Sequence, residues 1–252
     1  MRYFVELSYN GKNYHGWQKQ PNAISVQELV ENMLKNVLRV DSSVVGCGRT
    51  DTGVHASQFF LHFDVDQIID EENLIFKLNS CLPVDIAIHK IFRVSDKDHA
   101  RFSATFRSYE YRIYLKKNPF FVDTSWQVFN QCYDVVKMNE AAKILFEYTN
   151  FKCFSRSRTD VKTYNCRLIR AEWMQENDVL VFHITADRFL RNMVRAIVGT
   201  ILQIGLHKVT LQEFREIIES QDRSRAGASA KAKGLFLTKV GYPEKIFHNY
   251  GS

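Results

Sequence analysis

The sequence predicts an α+β fold built from two ferredoxin-like halves, and three observations carry that prediction. Strand-type alternation and helix-type periodicity succeed one another in the order β-α-β-β-α-β between Arg2 and Val94. The stretch after Ala104 repeats the theme loosely, with no low-complexity linker in between. A chain of 252 residues, 45% hydrophobic and 25% charged, is long enough for a sizeable core in one large domain or two small ones. The halves are placed at residues 1–104 and 105–252, with antiparallel sheets able to form one larger sheet on which the helices pack.

Taken in order, Arg2 to Tyr9 alternates as a strand. Ser25-Val26-Gln27-Glu28 has the pattern of a capping box and opens a helix with an apolar face of Val26, Leu29, Val30, Met33, Leu34, Val37 and Leu38. A short buried strand over Val44 to Cys47 leads into a glycine-rich turn. Phe59 to Val65 is the next strand, Glu71 to Cys81 a helix and Ile86 to Val94 a strand. In the second half Phe106 to Leu115 reads as a strand, Asn139 to Tyr148 as a helix, and Cys166 to Gln175 with Val179 to Ala186 as a hairpin. Phe189 to Leu206 is a long helix, Leu211 to Ser220 another, and Leu235 to Val240 the closing strand.

The turn is the most informative stretch. Gly46-Cys47-Gly48-Arg49-Thr50-Asp51-Thr52-Gly53-Val54-His55-Ala56 brings an acid, a base and three glycines together where a strand ends. Gly53 can take φ > 0, and Asp51 can bond its own backbone, so the carboxylate stands on a rigid elbow. A plain Asx-turn between strands is the alternative reading. Against it, Arg49 lies two residues before Asp51, a spacing that favours the ionised carboxylate, while Gly53, Ala56 and His55 leave room around it. The glycines do not form the G-x-G-x-x-G of a dinucleotide cradle. Cys47 beside them reads as packing.

A net charge of +6 and a pI near 9.0, together with 19 Phe and 11 Tyr, suit a polyanion whose bases can stack, although a solvated surface accounts for the charge equally well. Five cysteines without C-x-x-C spacing predict reduced thiols and a cytoplasmic protein. The chain opens directly as a strand, without signal-peptide pattern, and no apolar run reaches membrane-spanning length. No Walker A loop, H-E-x-x-H or carboxylate cluster points to nucleotide or metal; Asp64 and Asp66 read as a solvated strand edge.

Gly48 to Ala56 carry the pattern GRTDxGVHA, and here the chain resembles the TruA-type tRNA pseudouridine synthases. The resemblance continues through Gly11-Lys12-Asn13-Tyr14-His15-Gly16-Trp17-Gln18, Ala100-Arg101-Phe102-Ser103-Ala104-Thr105, Tyr109-Glu110-Tyr111, Phe189 with Met193 to Gly199, and Ala230-Lys231-Ala232-Lys233-Gly234-Leu235. It implies two RNA-recognition-like halves with a catalytic cleft between them. It also implies isomerisation of uridine to pseudouridine at positions 38, 39 and 40 of the tRNA anticodon arm, without cofactor or metal, by a homodimer that binds neither membrane nor DNA. Asp51 is then the catalytic residue. Arg195 pairs with it, and Tyr109, on a strand face with Arg107, Tyr111 and Ile113, stacks on the target base.

Arg49, His55 and Arg101 join Tyr109 as substrate contacts. Arg188, Arg191 and Arg195 fall at i, i+3 and i+7 of the predicted long helix, a stripe in which Arg188 and Arg191 are placed for phosphate. A solvated helix face is the plainer reading of that stripe, as core packing is of the Tyr pair. Lys152, Arg156, Arg158, Lys162, Arg167 and Arg170, interrupted by Asp160 and flanked by Phe151 and Phe154, make a basic loop compatible with RNA; Arg107, Lys12, Lys19, Lys231 and Lys233 extend the surface. Two positions depart from the family pattern. Thr52 stands where relatives mostly have alanine, and Cys166 stands three residues after Thr163, where they often have arginine. The rival from another class is a non-catalytic tRNA-binding or folding protein, which would have no use for a carboxylate held in an RNA groove.

Overall fold

The computed structural model describes residues 1–41, 43–156 and 161–248. Its elements are β1 (Arg2–Tyr9), α1 (Val26–Leu38), β2 (Val45–Gly46), β3 (His55–Asp64), α2 (Glu71–Cys81), β4 (Ile86–Val94), β5 (Phe106–Tyr114), β6 (Trp126–Gln127), α3 (Val135–Ile144), β7 (Leu168–Glu176), β8 (Val179–Ala186), α4 (Met193–Gly205), α5 (Leu211–Ser220), β9 (Leu235–Gly241) and α6 (Lys245–His248). This is the mixed α+β composition that the sequence predicts. Contacts divide the chain into two units, Met1–Phe106 with Leu237–Ser252, and Arg107–Phe236. The residues of β9 and the segment after it, from Leu237 to Tyr242, pack with the first unit. Val240 N donates to Gln58 Oε1 at 3.0 Å, and Tyr242 Oη donates to the carbonyl of Ala100 at 2.5 Å.

In the first unit the strand order is β4-β1-β3-β9, with β2 on β3. β1 lies antiparallel to both neighbours, from Arg2↔Asp64 to Tyr9↔Ala56 on β3 and from Arg2↔Val94 to Tyr9↔Ile86 on β4. Its alternation is overlaid by burial on both faces: Tyr3, Phe4, Val5, Leu7 and Tyr9 are all buried. Phe4 packs against Phe92 and Tyr242, with ring centroids 5.9 and 5.5 Å away. Helix α1 buries Val26, Val30 and Leu34, and Ser25 caps it by accepting Glu28 N–H at 3.3 Å. The fully reciprocal box sits on α5, where Thr210 and Glu213 exchange both bonds. Asp64 is paired, not merely solvated: Arg2 donates to both its oxygens at 2.8 and 2.7 Å, which holds the carboxyl below its usual range.

The second unit carries the antiparallel order β5-β8-β7, with β6 parallel to β5 at Ile113↔Trp126. Tyr111, Phe182 and Trp173 lie in register across it, and the Trp173 and Phe182 rings stack at 4.7 Å. Helix α3 begins four residues before the predicted Asn139, because Asp134 supplies the cap by accepting Lys137 N–H at 3.0 Å; from Leu145 to Glu147 the chain tightens to a 3₁₀ turn. Helix α4 starts at Met193, not Phe189: Asn192 has φ +67°, outside the right-handed helical region. All five cysteines are free thiols, and burial pushes those of Cys153 and Cys166 up to about 12.

Candidate active site

Asp51 lies in the turn between β2 and β3, and residues 9–17 grip that turn at successive points. Tyr9 Oη and Thr50 Oγ1 share a 2.9 Å hydrogen bond. Gly11 N donates to His55 Nδ1 at 3.0 Å, Gly53 N donates to the Tyr14 carbonyl at 3.3 Å, and Trp17 N donates to the Thr50 carbonyl at 3.3 Å. The Asp51 carbonyl itself accepts Val54 N–H at 3.1 Å, closing the turn. The approach is too close for side chains. A Cβ on Gly11 would lie 2.0 Å from the Val54 carbonyl oxygen, and one on Gly16, whose φ is +87°, 2.3 Å from that of Thr50. Gly53, at φ +76°, supplies the left-handed residue that the Asp-Thr-Gly pattern predicts.

That bracket explains in physical terms why Gly11 to Gln18 accompanies the Asp51 motif, a connection that strand and turn signals alone do not reveal. Tyr14 anchors it from outside: its hydroxyl donates to Asp85, and burial next to that carboxylate pushes the phenol pKa up. The outcome is a half-buried Asp51 whose backbone has no freedom to swing. Arg49 and Thr52 are exposed on either side, and a Cβ on Gly48 would meet nothing within 4 Å, so the face of the loop beside Arg49 is open. His55 is different from what its motif position implies. It is 1% exposed and spends Nδ1 on Gly11, so it buttresses the loop from behind.

In the second unit Arg195 sits in the first turn of α4 and is the helix's one charged residue; nearly all of its other side chains are buried. The strap 226–231 aligns it. Arg195 Nε donates to the Ala230 carbonyl at 2.7 Å, while Ala230 N donates back to the Arg195 carbonyl at 2.9 Å. Gly199 lets the strap touch the helix, since a Cβ there would lie 1.8 Å from the Ala228 carbonyl oxygen. Gly227 N donates to Thr200 Oγ1 at 2.9 Å, Asn192 Nδ2 to Ser229 Oγ at 2.7 Å, and Arg223 Nη2 to the same hydroxyl at 2.9 Å. Tyr111 is buried on β5 and donates to the Lys231 carbonyl at 2.7 Å; burial raises its pKa, and the nearby Arg195 charge opposes that. Tyr109, two residues earlier and half-buried, meets Phe189 edge to face at 5.1 Å.

The predicted arginine stripe is corrected. Arg188 and Arg191 precede the left-handed Asn192, so they lie on the loop before α4 and share no helical face with Arg195. Asp187 organises that loop, its carboxylate accepting Arg167 N–H at 2.8 Å and Arg188 N–H at 2.7 Å; the Arg191 carbonyl accepts Arg156 N–H at 3.0 Å. Arg101 is exposed in the first unit, on the turn after His99. Cys166 is buried, so the departure there falls on packing. Of the basic run, Arg158 and Asp160 lie outside the described residues. Among the described residues, no group of three His, Cys, Asp or Glu side chains is disposed to hold a metal, and no helix is long and apolar enough to cross a membrane.

Comparison with known proteins identifies the family. A family model described as tRNA pseudouridine synthase matches residues 141–243. Over 248 residues the chain is 50% identical to tRNA pseudouridine synthase A of Bacteroides fragilis, covering 98% of each chain. It is also 50% identical to the Bacteroides thetaiotaomicron protein of that name, over 98% of this chain and 92% of the relative, and 49% identical to that of Parabacteroides distasonis, over 98% of each. The chain belongs to the tRNA pseudouridine synthase A family, whose members are isomerases.

Proposed function

We propose that this protein converts uridine to pseudouridine in the anticodon arm of tRNA, at positions 38, 39 and 40, as a cytoplasmic homodimer without cofactor, and that Asp51 is its catalytic carboxylate. The observation that carries the reading is the grip of residues 9–17 on the Asp51 turn, which fixes an acidic side chain beside an open loop face on a chain of net charge +6. A carboxylate is repelled by phosphates, so an RNA-binding surface has use for one only where its chemistry is needed. The reaction breaks the N1–C1′ bond, turns the freed uracil, and joins C5 to C1′. N1 gains a proton and C5 loses one, so nothing is oxidised or reduced. Asp51 can attack C1′, attack the base, or take a ribose proton; each route needs it ionised.

In this reading Arg195, aimed by the Ala230 carbonyl at its Nε, pairs with Asp51 and keeps it charged. Tyr109 stacks on the target base once that base has left its stack, a step that costs a few kcal/mol in comparable systems. Arg49, Arg101, Arg188 and Arg191 neutralise phosphates. His55 is assigned to support of the loop. Incubation with unmodified tRNA and no added metal or nucleotide, followed by base-resolved detection of pseudouridine, tests the proposal. Product at positions 38–40 is expected; binding without product would favour the tRNA-folding alternative.

A further inference from the structure

The turn between β5 and β6 exposes a run of large apolar side chains that the chemistry above does not use. Phe120 is 88% exposed, and Phe121 and Val122 beside it are 43% and 45% exposed. Scattered apolar residues on a surface are ordinary, but three consecutive ones on a braced turn are not. The bracing is dense. Asn118 caps the 3₁₀ turn Pro119–Phe121 by accepting Phe120 N–H at 2.9 Å, and its own amide donates to Tyr114 Oη at 3.2 Å. Gln127 bonds Asn118 through both backbone groups, Ser125 Oγ donates to the Phe121 carbonyl at 2.8 Å, and the Phe121 ring lies on Tyr114 at 5.2 Å. The Phe120 ring is thus held out by a backbone that cannot fold it away.

The turn is also tied to the strap that aligns Arg195. Lys233 Nζ donates to the Val122 carbonyl at 2.8 Å, and the same strap gives Arg195 the Ala230 carbonyl and Tyr111 the Lys231 carbonyl. Ala230 and Lys233 are three residues apart, about 11 Å at full extension. Stacked bases follow one another at about 3.4 Å along a strand, so an RNA loop engaged at Arg195 reaches the turn within a few nucleotides. Exposed Lys116 and Lys117 precede it, Lys116 paired with Asp178 at 3.0 Å; Asp123 is the one acid within the turn.

We propose that Phe120 is a stacking platform for an unpaired base of the RNA substrate, a positioning residue that holds the anticodon loop while a neighbouring uridine reacts. This rests on the reading that the chain acts on the tRNA anticodon arm. A rigid aromatic ring stacks on any base face and needs no hydrogen-bond partner, which suits a site serving several tRNAs. The occupant is single-stranded RNA, because exposed Lys116 and Lys117 lead into the turn and the Lys233 bond links it to the strap that holds Arg195.

The test uses the full chain and an unmodified anticodon stem-loop RNA. Phe120→Ala is expected to weaken binding about 5- to 160-fold, the range that loss of one base–aromatic stack corresponds to, while melting temperature stays put. Single-turnover rate at saturating enzyme should change little, so the loss appears in KM more than in kcat. Phe120→Trp should restore affinity, and its added fluorescence should be quenched when the stem-loop binds. Parent-like affinity in Phe120→Ala, or an altered oligomeric state with unaltered RNA affinity per protomer, overturns the proposal and makes the turn a protein contact. If the parent enzyme itself forms no pseudouridine in the anticodon arm, the functional reading fails. If it does and Phe120→Ala matches it, only this inference fails.

Discussion

The Asp51 turn and the first turn of α4 are both immobilised, by opposite means. Around Asp51 the grip of residues 9–17, apart from the Tyr9–Thr50 hydroxyl pair, has a backbone group on at least one side of each bond: carbonyls of Thr50 and Tyr14, N–H groups of Gly11, Gly53 and Trp17, and glycines where a side chain would collide. Around Arg195 side chains do more of the work, with Asn192, Arg223, Thr200 and Ser229 lacing the strap to the helix. The bonds of this grip run to the backbone and neighbours of Asp51, not to its carboxylate. The arginine has three nitrogens, and the bond from Nε to the Ala230 carbonyl sets the direction of its guanidinium. Rigidity at the acid is thus written in glycines, and rigidity at the base in hydroxyls and amides.

Substitutions that attack each device separate them. Gly199→Ala should have the largest effect on folding, because its Cβ would fall 1.8 Å from a backbone oxygen within a buried helix contact; overpacking of this kind costs about 1–3 kcal/mol or more, read as a lowered denaturant midpoint. Gly16→Ala should next damage catalysis more than stability, since both its φ of +87° and the Thr50 oxygen 2.3 Å away force the Asp51 turn to move. A single-turnover rate within two-fold of the parent would show that the grip is not needed. Arg195→Lys keeps the charge but loses the fork, and should lower single-turnover rate about 10- to 100-fold, the equivalent of about 1.4–2.8 kcal/mol.

His62 gives a pH-dependent contrast elsewhere in the first unit. Burial, helped by the Arg2 charge, pulls its pKa down to about 4, and its Nδ1 accepts Ala100 N–H at 3.1 Å. The folded state therefore needs the neutral ring, whereas the unfolded chain takes up a proton below about 6.5. The stability that His62 contributes is complete above pH 6.5 and drains away as pH falls towards 4. Melting curves across that window should slope more steeply for the parent than for His62→Gln. The smallest effect belongs to Arg188→Ala, which should weaken tRNA binding a few-fold and flatten its salt dependence without touching the single-turnover rate.

The sequence is a good guide to these regions where local chemistry decides them. Strand β1, helices α1, α2 and α5, the β7–β8 hairpin and the Asp51 turn are legible because alternation, caps and an Asp-x-Gly turn act within a few residues of themselves. The start of α4 is not, because Arg188, Arg191 and Arg195 happen to keep helical spacing across Asn192, and asparagine, though enriched in the left-handed region, is not confined to it. The role of His55 is hidden for a different reason: its partner is Gly11, and only the pairing of β1 with β3 brings the two together. The strap 226–231 likewise has no pattern of its own, since its order comes from α4. For the grip on the Asp51 turn the glycines at 11 and 16 are the signal, and they become readable as a grip only beside the turn they hold.

The most direct measurement of the central claim compares Asp51→Asn with the parent on unmodified tRNA, reading binding and single-turnover product in the same samples. The substitution removes charge and almost no volume, the backbone grip on the turn does not involve the carboxylate, and most affinity comes from phosphate contacts. Affinity within a few-fold of the parent and no detectable pseudouridine are expected. Substantial product from Asp51→Asn would contradict this expectation and remove Asp51 from the chemistry.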